Sequence, residues 1–168
     1  MLSPNKRKSA SLILSEASCK KMIVEAQEAG QSVVMTNGCF DLLHAGHVSY
    51  LEKSKSLGDL LIVAVNSDES VRGIKGPERP ICKLADRMML LAAMHCVDGV
   101  VSFEEDTPER LYCSLLPNIL TKGGDYSVAD ISGGAQVIDA GGRVEIVTFV
   151  EGHSTSSIVE KIKSMNLK

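Results

Sequence analysis

Five short runs rich in Val, Ile and Leu, namely Val33 to Met35, Leu60 to Val65, Gly99 to Ser102, Ile119 to Lys122 and Val144 to Phe149, are separated by stretches of helical spacing. This alternation limits the possible folds more than any other feature. Runs that are apolar at nearly every position suit strands buried on both faces, and strands joined by helix-length connections pair in parallel. The helical stretches are Gly46 to Leu57, Leu84 to His95, Pro108 to Leu115, Ile131 to Ala140 and Ser154 to Met165. Another helix, Ser15 to Gly30, precedes the first strand: it opens on an N-cap serine, carries Met22, Ile23 and Ala26 at apolar positions, and ends on a glycine suited to C′. The expected fold is α/β, a Rossmann-like doubly wound parallel five-stranded sheet with flanking helices. Ligands of such sheets bind beyond the carboxyl ends of the strands, so the residues after Met35, Val65, Lys122 and Phe149 should converge on one edge.

A length of 168 residues suits a single domain, expected over 15–168, with 1–14 as a flexible leader. The apolar Leu12-Ile13-Leu14 is too short for a signal-peptide core or a membrane span, so no membrane partner is expected. With 18 Lys plus Arg against 21 Asp plus Glu, the net charge of −3 gives no general attraction for nucleic acid, and any anion site must be local. The 5 cysteines include no Cys-x-x-Cys pair, which speaks against a zinc cluster or disulfide framework and for a reducing cytoplasm.

Directly after the first strand comes Gly38-Cys39-Phe40-Asp41-Leu42-Leu43-His44-Ala45-Gly46-His47. Gly38 lets the chain turn, and His44 and His47 fall on one face at a helix start, where free N–H groups and partial positive charge already favour an anion. A polyphosphate fits. The irregular stretch Ser67 to Lys83 follows the second strand and carries Arg72, Lys75, Arg79 and Lys83, which reads as a solvated loop able to act as a lid over phosphate. Lys122-Gly123-Gly124-Asp125 forms another strand-end cluster, its glycines allowing close approach to the backbone. Arg87, one turn into a helix, either reaches back to phosphate or lies on a solvated face; Asp41 either orients the site or simply forms a turn.

The pattern Gly-x-Phe-Asp-x-x-His-x-Gly-His resembles the signature of the nucleotidyltransferase superfamily that includes the cytidylyltransferases and class I aminoacyl-tRNA synthetases. Together with Val65-Asn66-Ser67-Asp68, Lys75-Gly76-Pro77-Glu78-Arg79-Pro80 and Lys122-Gly123-Gly124-Asp125-Tyr126, it looks most like the heptose 1-phosphate adenylyltransferase branch, which makes ADP-heptose for lipopolysaccharide cores. Glycerol-3-phosphate cytidylyltransferases carry an Arg-Thr pair before the closing hydroxyl run, where this chain has Val150-Glu151-Gly152-His153-Ser154-Thr155-Ser156. His153 and Ser156 stand where the heptose branch often has Cys and Thr.

The resemblance implies transfer of AMP from ATP to a heptose 1-phosphate with release of pyrophosphate, assisted by Mg²⁺ without a dedicated protein metal cage. His44, His47, Lys75 and Arg79 would be catalytic. Thr36, Asn37, Gly38, Cys39, Phe40, Gly46, Arg87, Lys122, Gly124, Asp125, Ser154, Thr155 and Ser156 would bind the nucleotide, and Asp41, Asn66 and Asp68 the acceptor. A separate heptose kinase would supply the sugar phosphate, and a homo-oligomer, dimer or higher, is expected. The alternatives are glycerol-3-phosphate cytidylyltransferase, another small-acceptor nucleotidyltransferase, and a non-catalytic nucleotide-binding protein.

Overall fold

The computed structural model describes residues 8–124, 127, 130–148 and 155–165. Strands β1 (Val33–Gly38), β2 (Leu60–Asn66), β3 (Gly99–Phe103), β4 (Ile119–Gly123) and β5 (Arg143–Val147) form one parallel sheet in the order β3-β2-β1-β4-β5. The helices are α1 (Glu16–Glu28), α2 (Ala45–Lys55), α3 (Asp68–Lys75), α4 (Leu84–Ala92), α5 (Glu109–Leu115), α6 (Gly134–Asp139) and α7 (Thr155–Met165). The fold is therefore the expected Rossmann-like α/β sheet, with β1 at its centre.

Side chains along each strand alternate between two cores. Val33, Met35, Ile62, Ala64 and Leu120 pack with Cys19 and Ile23 of α1, Leu111 and Tyr112 of α5 and Val137 of α6. Val34, Leu61, Val63, Val65 and Ile119 pack on the opposite face with Leu51 of α2 and Met88 and Leu91 of α4. Each fully buried aliphatic side chain contributes on the order of 1.5–3 kcal/mol. Because the period is two, Asn37, Asn66 and Lys122 fall on the α5 face, and Thr36 and Thr121 on the α2 face.

Two expectations change. Residues 9–14 are not a flexible leader: Ser9–Leu12 forms a 3₁₀ turn, Ile13 bridges Val100 in parallel, and the Leu14 N–H donates to the Val100 carbonyl at 2.8 Å. Leu12, Ile13 and Leu14 pack against the two cores, which is the apolar contact that holds the segment down. Likewise Ser67 to Lys83 is not all loop. Ser67 caps α3 by accepting the Ser70 N–H at 3.1 Å, Asp68 and Glu69 occupy the first turn, and Val71 is buried. By contrast, α1 keeps its expected Ser15 cap, bonded to the Ser18 N–H at 3.2 Å, and Gly30 after it has φ +76°. Helix α6 starts later than Ile131 because Gly133, at φ +79°, interrupts the backbone before it.

Candidate active site

The histidines stand where β1 hands over to α2. His44 is the N-cap of that helix, and His47 closes the first turn with its N–H on the His44 carbonyl at 2.9 Å. Their rings stack with centroids 3.8 Å apart and planes 21° apart, and Phe40 lies 5.3 Å from His47. Phe40 has φ +46°, which costs a non-glycine residue on the order of 1 kcal/mol. Gly38 makes that arrangement possible, since a Cβ there would come within 2.9 Å of the Phe40 ring. Burial, then the neighbouring His44, pushes the His47 pKa down to about 4. Its imidazole is therefore neutral at pH 7. The buried His47 Nδ1 meets no hydrogen-bond partner among the described residues. A buried lone pair without a donor costs less than a buried N–H without an acceptor, so the proton belongs on Nε2, where it can be donated.

Below the histidines, four charged residues expected at the ligands are tied to one another. Asp41 is 2% exposed and accepts from Arg79 Nε at 2.6 Å and from the backbone N–H groups of Ile81 and Cys82, each at 2.8 Å. Burial alone would raise its pKa, but those two N–H groups and the guanidinium bring it below the ordinary carboxylate value. Arg87 is 0% exposed and donates to the carbonyls of Cys82, Cys39 and Asn66 and to Asp68 at 2.8 Å. The solvated-face role does not fit, because this guanidinium is buried and met by three carbonyls and a carboxylate. Asp41 is thus braced inside the loops, while Asp68, a third exposed, accepts from Arg87 at Oδ1. Arg79 remains available in part, because its terminal nitrogens meet no protein acceptor among the described residues.

On the α5 face of the same edge a cavity of about 250 Å³ opens among Asn37, Cys39, Asn66, Lys75, Lys122 and Asp130, with further walls from Asp106, Thr107 and Ser132. Lys122 Nζ donates to Asn37 Oδ1 at 2.9 Å, and burial holds its pKa below the usual lysine value. Asn66 reaches the Ser70 hydroxyl from Nδ2 at 2.9 Å. Burial pushes the Cys39 thiol up in pKa, while Lys75, Arg87 and Arg79 pull the other way, which records the cations gathered around it. Thr36 does not reach this site: it is 0% exposed and shares a 2.6 Å hydrogen bond with the Tyr50 hydroxyl of α2. Gly46 is buried in the first turn of α2, and Gly124 follows β4 with φ +110°.

At the start of α7, Thr155 donates to the Leu42 carbonyl at 3.2 Å, which ties this helix to the histidine loop; Ser156 beside it is exposed. Asp125, Tyr126, His153 and Ser154 lie outside the described residues. Sequence reading missed Asp106, Thr107, Asp130 and Ser132. The strand-end rule points to the first two, since they follow Phe103 at the end of β3.

The family model described as cytidylyltransferase-like matches residues 35–165. The bifunctional protein HldE of Vibrio cholerae serotype O1 (strain M66-2) is 56% identical over 151 residues, 90% of this chain and 32% of that protein. HldE of Pasteurella multocida (strain Pm70) is 52% identical over 153 residues, covering 91% and 32%. The chain thus spans about a third of the length of these relatives. Among solved structures, the lipopolysaccharide core biosynthesis protein of Thermoplasma volcanium GSS1 is 31% identical with a TM-score of 0.61, covering 74% of this chain and 100% of that one. A pantoate-beta-alanine ligase from Francisella tularensis shares the fold at 15% identity and a TM-score of 0.55, covering 82% and 66%. On the matched span and these identities, the chain belongs to the cytidylyltransferase-like family.

Proposed function

We propose that the chain is an adenylyltransferase that transfers AMP from ATP to a heptose 1-phosphate, giving ADP-heptose and pyrophosphate. The observation that carries the reaction type is the stacked His44–His47 pair at the start of α2, with His47 held neutral as a donor. The choice of heptose rests on the quoted motifs and on identities above 50% with HldE proteins. The name of the Thermoplasma protein, lipopolysaccharide core biosynthesis protein, points the same way.

In this reading a phosphate oxygen of the acceptor attacks the α-phosphorus of ATP. The bond from that phosphorus to the bridging oxygen breaks, and the electron pair leaves with pyrophosphate. The nucleophile is already an anion, so the protein supplies no base; it aligns two repelling anions and meets the charge that grows on the leaving group. His44 and His47 donate to the triphosphate, Arg79 adds its terminal nitrogens, and the start of α7 with Thr155 and Ser156 faces the same anion. The acceptor phosphate enters the cavity, where Lys75 and Lys122 supply cations. Among the described residues no group of three or more His, Cys, Asp and Glu side chains is placed to hold a metal. In this reading Mg²⁺ arrives with the nucleotide substrate, where it neutralises phosphate charge.

No helix among the described residues is long and apolar enough to cross a membrane. Cytoplasmic location, a kinase supplying the sugar phosphate, and assembly as a dimer or larger homo-oligomer complete the proposal. Pyrophosphate release from ATP, measured across a panel of sugar 1-phosphates, tests it: D-glycero-β-D-manno-heptose 1-phosphate should be the best acceptor. A higher kcat/KM with CTP and glycerol 3-phosphate would replace this reading with the cytidylyltransferase one. Silence with every phosphorylated acceptor would leave a nucleotide-binding protein.

A further inference from the structure

Tyr112 is wholly buried on α5, and nothing in the nucleotidyl transfer described above uses its hydroxyl. That hydroxyl donates to Asn37 Oδ1 at 3.1 Å, and the Lys122 ammonium donates to the same oxygen at 2.9 Å. An ammonium can only donate, so the atom it meets must be the amide oxygen, and the orientation of the Asn37 amide is fixed by chemistry. Its Nδ2 then turns the other way. It meets no protein acceptor among the described residues, and Asn37 lines the cavity at the end of the central strand. The tyrosine itself has little room to move: Gly133, at φ +79°, lies so close that a Cβ there would sit 3.0 Å from Tyr112 Cβ and Cδ2.

We propose that Asn37 donates from Nδ2 to an oxygen of the phosphorylated acceptor, and that Tyr112 is a positioning residue that aims this amide without touching substrate. The inference rests on the adenylyltransferase reading and sharpens it, moving Asn37 from the nucleotide to the acceptor. Two donors on Oδ1 remove the alternative amide flip, so the N–H is held ready before the substrate arrives. The exposed Lys75, Lys122 on Asn37 and a fixed amide donor line one cavity, which suits a phosphate or a ring hydroxyl. An acceptor without oxygens at that end leaves the donor unmet.

The test is a double-mutant cycle read by steady-state kinetics with ATP and the best sugar 1-phosphate. Tyr112→Phe removes only the hydroxyl and should raise the acceptor KM by about fivefold, with the ATP KM changed by about twofold or less. Asn37→Ala should raise the acceptor KM by about tenfold, and adding Tyr112→Phe to it should change nothing further, because the tyrosine acts through the amide. Asn37→Asp keeps an acceptor for both internal donors but has no N–H to give, so it should lose acceptor affinity at least as far as Asn37→Ala. A Tyr112→Phe effect that persists in the Asn37→Ala background overturns the proposal. So does an effect confined to ATP, or Asn37→Asp with a wild-type acceptor KM. Wild-type protein inactive with every phosphorylated acceptor overturns the functional reading and this inference together, whereas an active wild type with an uncoupled cycle overturns this inference alone.

Discussion

On the α2 and α4 side of the sheet edge, Arg87 and Asp41 are buried and bonded to carbonyls, amides and each other's neighbours; on the α5 side, an exposed Lys75 and the half-buried Lys122 face a cavity. Both sides are rich in charge at the carboxyl ends of the strands, yet one uses it to brace the loops and the other offers it outward. The difference lies in how each charge is met. A buried guanidinium must be fully met by protein because desolvating it costs several kcal/mol. Lys75 is exposed at the cavity, and Lys122 lines it while donating to Asn37. Position at the ligand edge therefore does not make a residue a ligand contact; its protein partners decide.

The sharpest way to break that contrast is Arg87→Met. Removing the guanidinium strands three carbonyls and Asp68, and the variant should lose about 3 kcal/mol of unfolding free energy in urea titration, discounted because Asp68 is a third exposed. A variant as stable as wild type with a large rise in ATP KM would return Arg87 to the phosphates. Next in size, His47→Ala should keep its stability at pH 7 and lower kcat by roughly 10²–10³, the usual effect of losing a transition-state donor. Near wild-type kcat in a folded variant would remove the histidine pair from the chemistry. Lys122→Gln should raise the acceptor KM by about tenfold while leaving the ATP KM within about twofold, as for one charge-assisted hydrogen bond. If ATP binding alone weakens, the cavity belongs to the nucleotide.

The smallest effect is on the pH dependence of stability. His47 has a folded pKa of about 4 against an ordinary 6.5, so between those values the unfolded chain binds more protons than the folded one. Stability must then fall as pH drops through that window. Thermal unfolding followed from pH 7 to pH 4.5 should show a shallower acid loss in His47→Asn than in wild type. An unchanged slope would mean that His47 is not held neutral by its surroundings.

The strands were legible because burial on both faces leaves almost no polar residue in them, as in Leu61 to Val65, all 0% exposed. Helix α3 was hidden by Gly73 and by its charged exposed face, although Ser67, Asp68 and Glu69 spell a helix start. In the site, His44 and His47 could be found because three residues of helix bring them together. Asp41 and Arg79 are 38 residues apart, and Tyr112 and Asn37 are 75 apart. Their pairing is set by which strand ends lie side by side, and local pattern carries no record of it. Asp106 and Thr107 follow the end of the third strand, where the strand-end rule places ligand-facing residues.

The short pairing of Ile13 with Val100 has a consequence for how the protein behaves in solution. Strand β3 is the outermost on its side of the sheet, and an uncovered outer strand offers unpaired amides and carbonyls to any other extended chain. Residues 9–14 act as a guard rail there, occupying the Val100 carbonyl and laying three apolar side chains beside it. Trimming the protein back to Ser15 would leave the carboxyl ends of the strands untouched and still turn the sheet's flank into an adhesive surface.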